Sequence, residues 1–316
     1  MRMKERKCTD KQESSMNREC EIEKQVRELK RKKNAIILCH NYQRGAVQNV
    51  ADFTGDSLEL SMKAVRANAD IIVFAGVRFM AETAAILNPE KKVLLPDPYA
   101  GCELAEICTA NELEKKMKKH PGAAVVSYVN SFATIKALSD ICCTSSNAVD
   151  VVKSLPNEEV LFLPDRNLAS FVAERVRDKK IIPWEGYCYV HQNINPDKIN
   201  SFKRRYPNAA VMVHPECIRE VREMADFVGS TGQMERYVRS LKIQEYIIGT
   251  EEGLVYRLEK DNPEKKFYSV GATCVGMKRN TLHDLLFSLE KEKYEVRVPK
   301  KIRLKAKQAI DRMLKI

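Results

Sequence analysis

The chain contains 316 residues, of which 44% are hydrophobic and 31% charged, a composition that predicts a globular protein of two or three domains. No segment approaches the roughly 18 consecutive apolar residues of a membrane helix, and the first residues lack the apolar stretch of a signal peptide. Composition therefore argues against a membrane or secreted protein, and we expect a cytoplasmic protein with no membrane partner.

The net charge of +11 is concentrated at the two ends of the chain. The first 33 residues carry a net charge of +5 and the last 20 a net charge of +7, so the remaining body is close to neutral. Because no basic face is indicated on the body, we expect no nucleic-acid partner. A nucleic-acid-binding or metal-sensing protein that uses the basic ends is the non-enzymatic alternative.

Three copies of one unit follow one another along the chain. After a charged helical pattern at 16–33, an apolar strand recurs at 35–43, 123–131 and 209–217. Each copy continues with three more short apolar strands separated by amphipathic segments, which predicts an α/β fold with parallel four-stranded sheets. A helical pattern follows Pro299. We predict five consecutive parts: a charged helical segment at 1–33, α/β repeats at 34–118, 119–204 and 205–297, and a C-terminal helix at 298–316.

Cys102, Cys188 and Cys274 are spaced 86 residues apart in equivalent contexts. Each follows a lysine pair, a short apolar run and a glycine, in the segments KKVLLPDPYAGC, KKIIPWEGYC and KKFYSVGATC. Ten cysteines in a reducing compartment favour metal or redox chemistry over disulfides. Three converging thiolates suit a metal centre with one open coordination position, such as an iron–sulfur cluster. A zinc site completed by His191, or three merely buried thiols, are the alternatives.

Polar residues recur at equivalent strand ends in the three copies. They are His40, Tyr42, Ser57, Tyr128, Asn130, Ser145, His214, Glu216 and Thr231. Ligands of parallel sheets bind beyond the carboxyl ends of the strands, so these side chains would share one cavity if the repeats pack around a common axis. Ser57, Ser145 and Thr231 are expected to begin helices, where they would either bind an anion or act as simple helix caps.

At these residues the chain resembles the quinolinate synthase family. The matching segments include HNYQRGAVQNVADFTGDSLELS, IIVFAGVRFMAETAAILNPEKKVLLPDPYAGC, SYVNS, SDICCTSSNA, PWEGYCYVHQ, VHPEC, ADFVGSTGQM and GATCVGMKRNTL. The resemblance runs from about residue 34 to the C-terminal IDRML and so covers nearly the whole chain.

The resemblance implies three pseudo-symmetric αβα domains around a central 4Fe-4S cluster. It implies the condensation of iminosuccinate (iminoaspartate) with dihydroxyacetone phosphate to quinolinate in de novo NAD biosynthesis. An aspartate oxidase or dehydrogenase would supply the imine. Cys102, Cys188 and Cys274 carry over as cluster ligands, and Tyr42, His214 and Glu216 as catalytic residues. The substrate-binding residues that carry over are His40, Ser57, Tyr128, Val129, Asn130, Ser145, His214, Pro215, Glu216 and Thr231.

One segment departs from the family pattern. Some members carry a second cysteine after the last cluster ligand, whereas this chain reads CVGM, with Met277 in that place. We therefore expect no thiol–disulfide switch there. No role is predicted for residues 1–33 or for the other seven cysteines. A different iron–sulfur hydro-lyase acting on a small hydroxy acid is the enzymatic alternative.

Overall fold

The computed structural model describes residues 18–316, which form three parallel four-stranded sheets of the same topology. In each sheet the first strand of the repeat lies between the second and the third, and the fourth strand is at the far edge. The predicted α/β fold class with three four-stranded parallel sheets is confirmed. The strands are β1 (Ala35–His40), β2 (Phe53–Gly55), β3 (Ile71–Ala75), β4 (Lys92–Leu94), β5 (Ala124–Tyr128), β6 (Ile141–Cys143), β7 (Glu159–Leu163), β8 (Lys180–Pro183), β9 (Ala210–Val213), β10 (Phe227–Val228), β11 (Glu245–Gly249) and β12 (Lys266–Ser269).

Helices connect the strands and cover both faces of the sheets. In the first repeat they are α2 (Gly45–Val50), α3 (Ser57–Arg66), α4 (Arg78–Leu87), α5 (Glu103–Glu106) and α6 (Ala110–Lys119). In the second they are α7 (Ala133–Lys136), α8 (Ala148–Ser154), α9 (Arg166–Ala173), α10 (Tyr189–Gln192) and α11 (Pro196–Arg205). In the third they are α12 (Arg219–Glu223), α13 (Thr231–Ser240), α14 (Gly253–Asp261), α15 (Val275–Lys278) and α16 (Leu282–Lys291).

Two further helices flank the repeats. The first, α1 (residues 18–32), places Val26 against the first sheet beside Ile37 and Cys39. The last, α17 (Lys300–Met313), packs across α7 and β6 of the second repeat and reaches α4 of the first. Both are amphipathic helices whose apolar sides cover sheets or helices that would otherwise face water. Residues 1–17 of the predicted N-terminal segment lie outside the described part of the chain.

The first sheet shows why the sequence forms these layers. β1 reads AIILCH and is apolar on both faces, as parallel strands buried between helices are. Side chains alternate, so Ile36 and Leu38 join the core on one face while Ile37 and Cys39 join the core on the other. α3 begins at a capping box between Asp56 and Glu59, which satisfies free N–H groups at its start.

One hydrophobic core runs through all three repeats. Leu38, Val126 and Met212 are equivalent residues of the three first strands, and all three are fully buried in the same cluster. Burial at equivalent positions means that the repeats pack face to face on a common centre. Residues at the carboxyl ends of all three sheets line one cavity, so these ends face a common space.

None of the helices in the described residues combines the length and the hydrophobicity needed to span a bilayer.

A buried arginine should contribute more to stability than an exposed neighbour on the same helix. Arg222 of α12 is 6% exposed and joins the third repeat to the second, donating to the Cys217 carbonyl at 2.6 Å, to Ser170 Oγ at 3.1 Å and to Glu174. Arg222→Ala is expected to lower the free energy of unfolding by about 3 kcal/mol, because it leaves buried acceptors unpaired. Urea denaturation measures the change.

The matched control is Arg219→Ala on the same helix. Arg219 pairs with Glu223 at 2.7 Å, but both side chains are exposed. Its loss is expected to leave the denaturation midpoint almost unchanged, since solvent screens such pairs. Equal midpoints for the two variants would contradict the role given to Arg222.

Candidate active site and metal centre

The carboxyl ends of the three sheets enclose a cavity of about 60 Å³. Most of the residues predicted for the site line it: His40, Tyr42, Ser57, Cys102, Tyr128, Asn130, Ser145, Cys188, His214, Glu216, Thr231 and Cys274. Val129 and Pro215 do not line the cavity, although both are buried beside it. Val129 contributes its side chain to the hydrophobic core instead.

The three evenly spaced cysteines each precede a short helix. Cys102, Cys188 and Cys274 are the residues immediately before α5, α10 and α15. They follow the ends of β4, β8 and β12 by eight, five and five residues, so a loop carries each thiol to the cavity wall. All three also line a second, outer cavity of about 240 Å³. The thiols thus lie where the two cavities meet.

The thiols fit a metal cluster better than a single ion. Burial raises the pKa of Cys102 to about 12, and burial also raises the pKa of Cys188 and of Cys274. Such thiols lose their protons when a metal binds them. Two sulfurs bound to one zinc ion at about 2.3 Å lie at most about 4.6 Å apart. In the described residues, the ligand atoms of these three cysteines are not all within 4.8 Å of one another, which leaves room for more than one metal atom.

One group has the compactness of a mononuclear site. Ligand atoms of Cys188, His191 and Glu216 all lie within 4.8 Å of one another, which makes this a possible metal-binding site. The alternative of one zinc ion held by all three cysteines and His191 does not match this geometry. His191 lies beside Cys188, but the compact group leaves out Cys102 and Cys274.

Glu216 is a buried carboxylate held between two imidazoles. Its Oε2 lies 2.6 Å from His191 Nδ1 and 3.4 Å from His214 Nδ1, and the two rings stack with centroids 4.5 Å apart. Burial alone would raise the pKa of Glu216, but the two histidines outweigh burial and hold that pKa well below its usual range. Its Oε1 has no hydrogen-bond partner among residues 18–316, so one oxygen remains free to meet a ligand.

Hydrogen bonds join Tyr42 to His191, which makes an ion-pair contact with Glu216. The Tyr42 hydroxyl lies 2.6 Å from Thr250 Oγ1, which lies 2.8 Å from His191 Nε2. His191 Nδ1 lies 2.6 Å from Glu216 Oε2 in an ion-pair contact. When Nδ1 carries the ring proton, Nε2 accepts from Thr250, which in turn accepts from Tyr42. Burial raises the pKa of Tyr42 well above its ordinary value, so its hydroxyl keeps its proton at neutral pH. The path therefore runs from a neutral phenol to an ionised carboxylate.

The rings of His40 and His214 are neutral, and each accepts a backbone N–H. His40 Nδ1 accepts the backbone N–H of Tyr42 at 3.1 Å, and burial lowers the pKa of His40 to about 4. His214 Nδ1 accepts the backbone N–H of Glu216 at 3.3 Å, and burial followed by the charge of His191 lowers its pKa. His214 Nε2 lies 3.2 Å from Ser145 Oγ, within hydrogen-bond distance.

The expectation that three hydroxyl residues begin helices is right for two of them. Ser57 and Thr231 are the first residues of α3 and α13. Ser145 does not begin a helix, because α8 starts only at Ala148. Asn147 closes a turn there by accepting hydrogen bonds from the N–H and hydroxyl of Thr144.

Sequence reasoning missed a polar junction of the three repeats. The Asp56 carboxylate accepts hydrogen bonds from the Ser146 hydroxyl at 2.8 Å and from the Ser230 hydroxyl at 3.0 Å. Each of the three residues belongs to a different repeat. Asp56 precedes a helix, so its capping role could be predicted from the sequence. Its hydrogen bonds to the two other repeats could not, because they join residues far apart in the chain. Thr250 was missed for the same reason, and His191 was considered only as a zinc ligand.

Comparison with known proteins identifies the family of the chain. A family model described as quinolinate synthetase A protein matches residues 24–315. A quinolinate synthase of Dehalococcoides mccartyi (strain CBDB1) is 53% identical over 297 residues, which cover 93% of this chain and 98% of that protein. Quinolinate synthase of Thermodesulfovibrio yellowstonii is 51% identical over 288 residues, covering 90% of this chain and 95% of that protein. Quinolinate synthase 1 of Methanosarcina acetivorans is 51% identical over 300 residues, covering 94% of this chain and 98% of that protein.

The lowered pKa of His40 makes stability depend on pH. An unfolded histidine titrates near 6.5, so the unfolded chain binds a proton at pH 5 that the folded chain rejects. Stability is therefore lost as the pH falls from 6.5 toward 4. Between pH 7 and pH 5 His40 is expected to cost iron-free protein about 2 kcal/mol, and His214 adds a loss of the same sign.

Urea denaturation at the two pH values tests this dependence. His40→Gln should lose about 2 kcal/mol less than the unsubstituted protein on going from pH 7 to pH 5. His283→Gln, at an exposed position, is the control and should behave like the unsubstituted protein. The same pH dependence in His40→Gln and in the control would contradict the burial of a neutral His40.

Proposed function

The chain belongs to the quinolinate synthase family and is an enzyme of NAD biosynthesis, and we propose that it condenses iminosuccinate with dihydroxyacetone phosphate to give quinolinate, phosphate and water. The observation that carries this proposal is that one cavity receives all three evenly spaced thiols together with both acid–base candidates, Tyr42 and Glu216. The imine would come from an aspartate oxidase or dehydrogenase.

Cys102, Cys188 and Cys274 would hold a 4Fe-4S cluster. Their buried thiols, their common position between two cavities and their spread beyond the reach of one ion support this. When bound by three thiolates, such a cluster keeps one iron with a free coordination position, which supplies Lewis acidity for the loss of water.

The anionic substrates would be held by neutral donors. The cavity-lining residues include no lysine or arginine in the described part of the chain, so hydroxyls, amides and imidazoles must meet the carboxylates and the phosphate. Ser57 and Thr231 begin two ten-residue helices, whose N-termini favour negative charge. The proposed substrate contacts are the predicted residues that line the cavity, namely His40, Ser57, Tyr128, Asn130, Ser145, His214, Glu216 and Thr231. Val129 and Pro215 lie behind this lining and are not proposed to contact the substrate with their side chains.

Tyr42 and Glu216 would share the proton transfers. Condensation needs a proton removed from carbon, and the loss of phosphate and water needs protons returned to the leaving oxygens. Glu216 is kept ionised by His191 and His214 and has a free oxygen to accept a proton. Tyr42 keeps its proton and can donate it. At neutral pH the two groups therefore differ in protonation, as the base and the acid of one reaction must.

His214 would orient the substrate beside Glu216. Its Nε2–H points to Ser145 Oγ, and both side chains line the cavity. A substrate carboxylate or carbonyl that displaces this contact would accept the same ring proton. His214 thus places a hydrogen-bond donor next to the proposed base.

Quinolinate formation tests the proposed reaction. Anaerobically purified protein supplied with fresh iminosuccinate and dihydroxyacetone phosphate should form quinolinate, and omission of either substrate should abolish the product. Release of one phosphate for each quinolinate formed would independently support the proposed reaction. Turnover of a hydroxy acid without dihydroxyacetone phosphate would instead indicate a hydro-lyase and would overturn the proposal.

Glu216→Gln tests the base. The variant keeps the shape of the side chain but removes the charge, so kcat should fall at least about 100-fold while the visible absorbance of the cluster is retained. Glu223→Gln, at an exposed surface position of α12, is the matched control and should leave kcat unchanged. Normal turnover of Glu216→Gln would rule out its role as base.

Tyr42→Phe tests the acid. It removes the hydroxyl that starts the path through Thr250, and kcat is expected to fall by about 100-fold with little change in cluster content. The control is Tyr256→Phe, because the Tyr256 hydroxyl donates to Asn49 and does not line the cavity. If both variants lost activity equally, the loss would not come from proton transfer by Tyr42.

A further inference from the structure

Two buried carboxylates lie directly behind two of the three cysteines. Asp165 Oδ2 accepts the backbone N–H of Cys188 at 3.0 Å, and Glu251 Oε1 accepts the backbone N–H of Cys274 at 3.1 Å. Both carboxylate residues are fully buried, and each precedes its cysteine by 23 residues. The same contact therefore occurs twice, in equivalent places of the second and third repeats.

The two carboxylates also hold a second backbone group. Asp165 Oδ1 accepts the N–H of Leu168 at 2.7 Å, and Glu251 Oε2 accepts the N–H of Gly253 at 2.7 Å. Both oxygens of each carboxylate are thus engaged with backbone donors. Each side chain ties the loop after the third strand of its repeat to the loop that carries the cysteine.

The first repeat shows that the loop does not need such a carboxylate in order to form. The N–H groups of Arg78, Arg166 and Glu252 bond to the carbonyls of Ala100, Gly186 and Ala272 at 2.9, 2.7 and 2.8 Å, which makes the three loops equivalent. The residue before Arg78 is Val77, where the other repeats have Asp165 and Glu251. An apolar residue thus suffices for the turn itself.

The loop of Cys102 is held in another way. Measured from the end of its strand it is three residues longer than the other two loops. Asp97 Oδ1 accepts the N–H of Tyr99 at 2.7 Å, while Asp97 Oδ2 pairs with Arg279 at 2.8 Å. Buried carboxylates are costly to desolvate. At this loop position they occur only in the two repeats in which they reach a cysteine N–H, so the fold alone does not explain them.

We propose that Asp165 and Glu251 are positioning residues that hold the Cys188 and Cys274 loops in the shape required to bind the metal cluster. This rests on the proposed function, because it takes the three thiols to be cluster ligands. A hydrogen bond from the cysteine N–H to a buried carboxyl oxygen restrains the direction of the Cα–Cβ bond and leaves the sulfur free. Groups that orient metal ligands in this way affect retention of the metal as strongly as many direct contacts.

The two carboxylates differ in how their charge is balanced. Lys278 Nζ lies 2.9 Å from Glu251 Oε1 and 3.0 Å from Oε2. Asp165 has no lysine or arginine within ion-pair distance among residues 18–316. Asp165→Asn therefore strands no buried cation, which makes it the cleaner of the two variants.

Asp165→Asn keeps the size of the side chain but turns one acceptor into a donor. Because both oxygens accept backbone N–H groups, the amide must face one of these donors with its own NH₂ group. Iron should leave the anaerobically reconstituted variant about ten times faster than the unsubstituted protein when a chelator is added. The decay of the cluster absorbance and the chelated iron both report the rate.

Asp140→Asn is the matched control in the same repeat. Asp140 Oδ2 accepts the backbone N–H of Val125 at 2.8 Å, at the opposite end of the sheet from the cysteine. Asp140→Asn alters the same kind of carboxylate–backbone hydrogen bond but far from the cysteines. Its iron release should therefore stay at the rate of the unsubstituted protein.

Thermal unfolding of the iron-free proteins separates positioning from simple stabilisation. Positioning predicts faster iron release from a variant whose iron-free form unfolds within a few degrees of the unsubstituted protein. If Asp165→Asn does not fold, iron release and thermal unfolding are measured for Glu251→Gln instead. Unchanged iron release in a folded variant would overturn the inference, and so would failure of both iron-free variants to fold. Unsubstituted protein that takes up no iron would instead contradict the proposed cofactor.

Discussion

The constraint on which the whole site depends is that three parallel sheets point their carboxyl ends at one cavity. The first strands end at His40 and Tyr128 and directly before His214, and all three residues line that cavity. The packing of the three sheets on one another depends on strand residues that precede these ends and share one hydrophobic core. A single repeat would offer one thiol and a few polar groups to solvent. Only the assembled three bring these groups together around one cavity, as the proposed polynuclear metal centre requires.

Exclusion of water then determines the electrostatics. Burial keeps His40 neutral and Tyr42 protonated, whereas Glu216 stays ionised because two imidazoles surround it. The charge state of each group thus follows from its neighbours rather than from the solution. Thr250 and His191 lie between Tyr42 and Glu216, so the proposed acid and base are connected through neighbouring polar groups.

Much of this architecture could be predicted from the sequence because individual polar side chains, and not only strands, recur at a nearly constant interval. The intervals of 86 to 88 residues gave equivalent positions, and the cavity gathers the residues found in this way. What sequence reasoning missed depends on distant partners: Tyr42 and Thr250 are 208 residues apart, and Asp56 and Ser230 are 174 apart. Ser145 was placed wrongly because Asn147 turns the chain before α8 begins. Val129 and Pro215 were included only through neighbours that do line the cavity.

The central claim is that Cys102, Cys188 and Cys274 act together on one cluster. The most direct test is the content of iron, sulfide and zinc in anaerobically reconstituted protein, compared with Cys274→Ser. The account predicts about four irons and four sulfides per chain, with both lost in the variant. One zinc ion per chain that survives in Cys274→Ser would place the metal on Cys188, His191 and Glu216 alone and would contradict the account.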